Sequence, residues 1–219
     1  MLHCASLVHD DLPIFDNAAT RRGRPSVHAI YGGPVALLAG DALIVMAFET
    51  LSRTAAAHSG RLVPLILTLT RAVGAPFGIA AGQAWESEPE PPSERYRCAK
   101  TGALFVAAVT CGALASGGDP QRWRGLGEKL GEAYQVADDL LDALGDEVTA
   151  GKPIGQDAAL GRPNAVGDLG IEGALSRLST LIGEAIAAVP ACPGEESLRE
   201  LVRLQAIRLA PKHLVRSAA

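Results

Sequence analysis

An all-α protein is what this sequence predicts, and three observations carry the expectation. Ala, Leu and Gly dominate a chain of 219 residues that is 48% hydrophobic yet only 4% aromatic, a balance that favours packed helices over sheet. Successive runs of roughly twenty residues show helical periodicity and are punctuated by Gly and Pro. No alternating run of β-branched residues is long enough to read as a strand. Length and apolar content together suffice for one domain with a sizeable core.

In chain order, Leu2 to His9 reads as the last turns of a helix that ends near Pro13, because proline cannot continue the backbone ladder. The polar NAATRRGRPS stretch is a loop. Pro34 to His58 is an Ala/Leu-rich helix with proline in its first turn. Arg61 to Glu88 is a second long helical run, closed by the acidic, proline-rich PEPPSE turn. Ser93 to Ser116 follows, with Ser93 as its cap and GGDP as its stop. Pro120 to about Leu144 is the next helix, and Gly145 to Asn164 reads as a Gly/Pro-rich loop. Helices near Ala165–Val189 and Glu195–Leu209 complete the bundle.

Composition removes several classes of function. A net charge of -4 argues against a general nucleic-acid binder. Cys4, Cys98, Cys111 and Cys192 lie far apart without metal-type spacing, and read as reduced thiols of a cytoplasmic protein. No apolar run of about 18 residues is free of charges and breakers, so no membrane span is expected. The opening MLHCASLVHDD has no basic region or cleavage site and is not a signal peptide. It begins inside an apolar helical pattern with no cap.

Two aspartate clusters stand out from this background: DDLPIFD with Asp10, Asp11 and Asp16, and DDLLD with Asp138, Asp139 and Asp142. Both lie in apolar stretches, where carboxylates are rare without a cationic partner. Two such charges at ~5 Å repel by about 3 kcal/mol at an effective dielectric of ~20. Six facing one cavity would suit several hard divalent ions, and Mg²⁺ favours a few carboxylates, waters and substrate phosphates. On a helix, Asp138 and Asp142 share a face, with Gln135 one turn earlier. A lone DDxxD is as readily a solvated acidic face; the second cluster shifts the balance. Arg21 and Arg22 follow the first cluster, and arginine forks match diphosphate oxygens, although RRGRP alone is more often an exposed basic loop.

HDDLPIFDNAATRRGRPS, AGDALI, AGQAWESE, AKTGALF and YQVADDLLDALGDEVTAGKPIGQD, in that order from Leu2 to about Glu172, resemble the trans-prenyltransferase (polyprenyl diphosphate synthase) family. LHCASLVHDDLP with GQAWESE, and RPNAV with GIEGA, are most similar to its bacterial geranylgeranyl diphosphate synthases of carotenoid and bacteriochlorophyll pathways. The resemblance implies an isoprenoid-synthase-type helical bundle around a central cavity. It implies that Asp10, Asp11 and Asp16, with Asp138, Asp139 and Asp142, hold about three Mg²⁺ ions on an allylic diphosphate. Arg21 would reach that diphosphate and Arg22 the diphosphate of isopentenyl diphosphate. Lys100, Thr101 and Gln135 match the residues near the ionising carbon and leaving group. Lys152, with Asp157 after it, matches the loop beyond the second motif. His9 would pack or hydrogen-bond.

Ala5, with Ser6 beside it, lies one turn before Asp10, where a large aromatic in the family stops growth at fifteen carbons. A small residue there implies the twenty-carbon product, geranylgeranyl diphosphate, from farnesyl and isopentenyl diphosphates; ordinary helix packing is the alternative for Ala5. The resemblance also implies one polyprenyl synthetase domain over 1–219 that lacks the family's N-terminal helices, and a homodimer across Pro34–His58 and Arg61–Glu88. Glu86 stands where many relatives have Asp, and Arg162 where many have Lys. A terpene cyclase would not keep both acidic motifs with RRGRP, Lys-Thr and GKPIG. A non-catalytic prenyltransferase subunit commonly loses one acidic motif, and this chain has both. A short-chain, farnesyl diphosphate-forming synthase is the remaining alternative.

Overall fold

The computed structural model describes residues 1–55, 59–88, 93–144 and 164–209. The elements are α1 (Leu2–Asp10), β1 (Thr20–Arg21), β2 (Arg24–Pro25), α2 (Val27–Tyr31), α3 (Gly33–Ala55), α4 (Ser59–Val73) and α5 (Ile79–Glu86). After them come α6 (Ser93–Arg97), a π-helical turn (Cys98–Gly102), α7 (Ala103–Ser116), α8 (Gln121–Leu144), α9 (Ala165–Ala187) and α10 (Glu195–Leu209). The all-α expectation holds.

Three details differ from the sequence reading. The run Arg61–Glu88 is two helices, because Pro76 has no N–H to donate and keeps the residue before it out of helical geometry. Within the RRGRP loop, Thr20 pairs with Pro25 and Arg21 with Arg24 in a small antiparallel hairpin. Its two turn residues, Arg22 and Gly23, have φ of 54° and 72°. Positive φ at both centres is the type I′ pattern that matches strand twist. The third detail is a break in α9 at Gly170, whose φ of 69° and ψ of 172° leave the helical region.

Helix α8 is the spine. Its Ala133, Val136, Ala137 and Leu140 pack with Ala174, Leu178 and Leu181 of α9, and its Leu126 packs with Ala185, Val189 and Val202. Leu140 and Leu181 are fully enclosed, each burial worth about 1.5–3 kcal/mol. On its other side α8 lies against α7 and the π-turn at glycine contacts. A Cβ on Gly127 would sit 2.6 Å from the Val106 Cα, and one on Gly131 would sit 2.8 Å from the Gly102 Cα. Caps finish the helices: Gly117 in the left-handed region (φ 84°) ends α7, and Asn164 Oδ1 accepts the Gly167 N–H (2.7 Å) to start α9.

Two helical stretches, Gly33–Arg53 and Arg95–Ser116, are long and apolar enough to cross a membrane by length and composition. The sequence reading found none because it stopped at every charge, and Asp41, Glu49, Arg97 and Lys100 interrupt these runs. Arg95–Ser116 is a helix of the bundle, lying between α4 and α8. Helix α3 packs on α1, while Val35, Leu38, Val45 and Met46 stay exposed. Gly127→Ala should lower unfolding free energy by about 1–3 kcal/mol in urea denaturation, because backbone rather than a side chain must yield. A loss under about 0.3 kcal/mol would show the α7–α8 contact to be looser than described.

Candidate functional site

The first acidic cluster is gathered by the end of α1. The Asp16 N–H donates to the Asp10 carbonyl (3.0 Å), so the chain doubles back and the two residues become neighbours. Asp11 is held by the neighbouring hairpin. Its carboxylate is 4% exposed, and Arg21 clasps Oδ1 through Nε (2.8 Å) and Nη2 (2.6 Å). The same guanidinium is 3.9 Å from Asp16. His9 fixes the end of α1 to α3: Nε2 donates to the Leu37 carbonyl (3.1 Å) and lies 3.5 Å from Asp41. Gly40 makes that approach possible, since a Cβ there would lie 2.0 Å from the imidazole.

The second cluster has the same division of labour. Asp139, on the buried side of α8, accepts from Gln135 Nε2 (2.8 Å) and from the Ala165 N–H (2.7 Å), tying α8 to the start of α9. Asp138 is half-buried and Asp142 buried on the same helix. In each cluster, then, one aspartate ties its segment to a neighbouring element: Asp11 to the hairpin and Asp139 to the start of α9.

The π-turn lies between the clusters. Thr101 Oγ1 donates to Gln135 Oε1 (2.5 Å), which makes a continuous chain Thr101–Gln135–Asp139–Ala165. Lys100, one residue earlier, acts electrostatically on Asp10 of the first cluster. Its Nζ sits 2.5 Å from Glu86 of α5 and 5.9 Å from the centre of the Tyr96 ring. Arg97 reaches Asp168 at 3.6 Å and acts electrostatically on Asp139. The extra residue of a π-turn explains how adjacent side chains serve opposite walls; such turns often mark functional sites.

Burial pushes the Asp10, Asp11 and Asp139 carboxyls above the usual carboxylate range. For Asp10, the negative charges of Asp16 and Glu86 push the same way, while Lys100 and Arg21 partly offset it. Arg21 offsets part of the effect on Asp11, and Gln135 and the Ala165 N–H part of that on Asp139. Acids raised in this way favour the folded state below their ordinary pKa. That contribution is lost as pH rises through the elevated value.

Among the described residues, no three His, Cys, Asp or Glu side chains converge closely enough to hold a metal ion. The donors present are carboxylate oxygens, several of them desolvated and short of positive charge. That set fits Mg²⁺, which takes one or two carboxylates and completes its shell with water and substrate phosphate. It does not fit a closed thiolate or imidazole site.

The structure brings together Asp10, Asp11, Asp16, Arg21 and Lys100 on one side, and Thr101, Gln135, Asp138, Asp139 and Asp142 on the other. Arg22 is exposed, 3.3 Å from His3 Nε2. Ala5 is buried in α1, and the Ser6 hydroxyl donates to the His3 carbonyl (2.9 Å). Lys152, Asp157 and Arg162 lie outside the described residues. Sequence reasoning passed over the carboxylate of Glu86 as a partner for Lys100, and the roles of Gln83 and Tyr96 around it. The signal was present: Gln83 and Glu86 are three apart on one helix, and Tyr96 and Lys100 four apart.

The family described as Polyprenyl synthetase matches residues 1–192. The chain belongs to that family of trans-prenyltransferases. It is similar to the geranylgeranyl diphosphate synthase of Cereibacter sphaeroides, 54% identical over 96% of this chain and 73% of that protein. To the geranylgeranyl diphosphate synthase of Rhodobacter capsulatus it is 51% identical, over 95% of this chain and 72% of the other. Among solved structures, a geranyltransferase of Helicobacter pylori complexed with magnesium and isoprenyl diphosphate superposes with a TM-score of 0.80 at 35% identity, covering 94% of this chain and 70% of that one.

Asp139→Asn should cost about 1–3 kcal/mol of stability, because its amide donor must oppose either Gln135 or the Ala165 N–H. Asp138→Asn should cost under about 1 kcal/mol. Equal losses in chemical denaturation would contradict the division between inward and outward aspartates.

Proposed function

We propose that this protein is a Mg²⁺-dependent geranylgeranyl diphosphate synthase, joining farnesyl diphosphate to isopentenyl diphosphate with release of diphosphate. The observation that carries the reading is the Lys100–Thr101 π-turn, joined through Thr101 and Gln135 to Asp139 of the second acidic cluster and held through Lys100 on Glu86. The product assignment is supported by similarity to the two bacterial geranylgeranyl diphosphate synthases.

Asp10, Asp16, Asp138 and Asp142, with Asp11 and Asp139 behind them, would hold the ions; bound Mg²⁺ would supply positive charge to the leaving diphosphate. Arg21 serves two ends, anchoring Asp11 and offering its outer edge towards the allylic diphosphate. Lys100 places a cation where negative charge grows as the allylic C–O bond breaks, electrostatic help of the kind that usually dominates catalysis. Thr101 and Gln135 present oxygens beside the nascent allylic cation, oriented by Asp139. Arg22 binds the isopentenyl diphosphate, whose alkene attacks that carbon. Loss of a proton to the departing diphosphate completes the step. Lys152 adds a further cation for the diphosphate. Ala5 and Ser6 leave the elongation pocket deep enough for twenty carbons. A homodimer covers the exposed apolar face of α3. Four cysteines without disulfides support a reducing, cytoplasmic setting.

Protein expressed from the full reading frame should convert farnesyl and isopentenyl diphosphates into the C20 product when Mg²⁺ is present, read by chromatography of dephosphorylated products. Formation of C15 alone from shorter primers would reject the chain-length assignment. Without substrate, Mg²⁺ should raise Tm more at pH 8 than at pH 5, where protons compete for the buried Asp10 carboxylate. A shift that is the same at both pH values would argue against Asp10 as a ligand.

A further inference from the structure

Glu86 is a buried carboxylate with three donors arranged around it. Its side chain is 7% exposed, and it accepts from Gln83 Nε2 (2.8 Å), Tyr96 Oη (3.0 Å) and Lys100 Nζ (2.5 Å). Such an arrangement fixes a charge in space rather than merely neutralising it. Gln83 comes from its own helix and Tyr96 from the turn below Lys100, so the carboxylate cannot swing without losing both. The backbone beneath is equally confined: a Cβ on Gly82 would lie 2.4 Å from the Lys100 N, so α5 and the π-turn touch directly.

Lys100 also acts electrostatically on Asp10. An ammonium released from Glu86 would be drawn towards that carboxylate, and a direct Lys100–Asp10 pair would fill with a side chain the place a divalent cation needs.

We infer that Glu86 is a positioning residue: with Gln83 and Tyr96 it parks the Lys100 ammonium short of Asp10, keeping that carboxylate open to metal until a diphosphate arrives. This deepens the function proposed above and rests on its diphosphate-binding reading. It also gives a reason for the longer carboxylate at this position. Glu reaches across from α5 where Asp, one methylene shorter, would have to draw Lys100 back or lose contact with Tyr96.

The test is calorimetric binding of inorganic diphosphate across a Mg²⁺ titration, which needs no turnover, on the intact protein and on Glu86→Gln, Glu86→Asp and Tyr96→Phe. Glu86→Gln keeps the shape and removes the charge. It should require about tenfold more Mg²⁺ for half-maximal diphosphate uptake, the size expected for losing a charge-assisted hydrogen bond. Its metal-free diphosphate binding should not weaken, since Lys100 remains. Glu86→Asp should recover part of the loss, and Tyr96→Phe should shift the requirement in the same direction by a smaller factor.

A role confined to folding predicts instead a lower Tm with an unchanged Mg²⁺ requirement, and that result overturns the inference. Should Glu86→Gln not fold, Tyr96→Phe decides: an unchanged requirement there overturns it, an increase supports it. Intact protein that takes up no diphosphate with Mg²⁺ would reject the functional proposal itself. Uptake by the intact protein with no shift in any variant would reject the role of Glu86 alone.

Discussion

Backbone contact at glycine is the constraint on which the site depends. Gly131 of α8 lies against Gly102 and Gly82 of α5 lies against Lys100, so the π-turn is gripped from two sides at distances no side chain would permit. Hydrogen bonds then act over short, fixed spans: Thr101 to Gln135 on one flank and Lys100 to Glu86 on the other. Were the helices an ångström or two further apart, these polar groups would have to recruit water in place of one another. Close packing thus comes first and the polar geometry follows from it.

Electrostatically the site is a balance left incomplete. Asp11 and Asp139 are satisfied by the scaffold, which fixes the two acidic segments in place. Asp10 is left desolvated and under-compensated, and Asp16 and Glu86 add to the negative field around it. A protein interior carries such an imbalance only at a cost in stability. On the function proposed above, a bound cation would offset that cost.

Much of this was legible in the sequence, for identifiable reasons. Helices α1, α3, α7, α8, α9 and α10 announced themselves by periodicity, proline and glycine stops, and the acidic clusters by their apolar context. The division of the Arg61–Glu88 run was written in Pro76 but masked by continuous helical periodicity on both sides. The hairpin was missed because the first of its two central residues is an arginine, where a glycine or asparagine would have signalled positive φ. Which aspartate of each pair turns inward could not be read either. Neighbours on a helix differ by 100° in direction, and only the position of Arg21 or of the Ala165 N–H decides which one is claimed.

The hairpin turn has an evolutionary consequence. Arg22 holds a left-handed backbone (φ 54°) in which a side chain of its kind is disfavoured, at a cost of order 1–3 kcal/mol. Glycine or asparagine would relax the turn at once, so the guanidinium stands here against what the backbone would choose. Directed evolution for heat tolerance alone would exchange Arg22 early, and its survivors would be sturdier scaffolds with one exposed cation fewer at the hairpin tip.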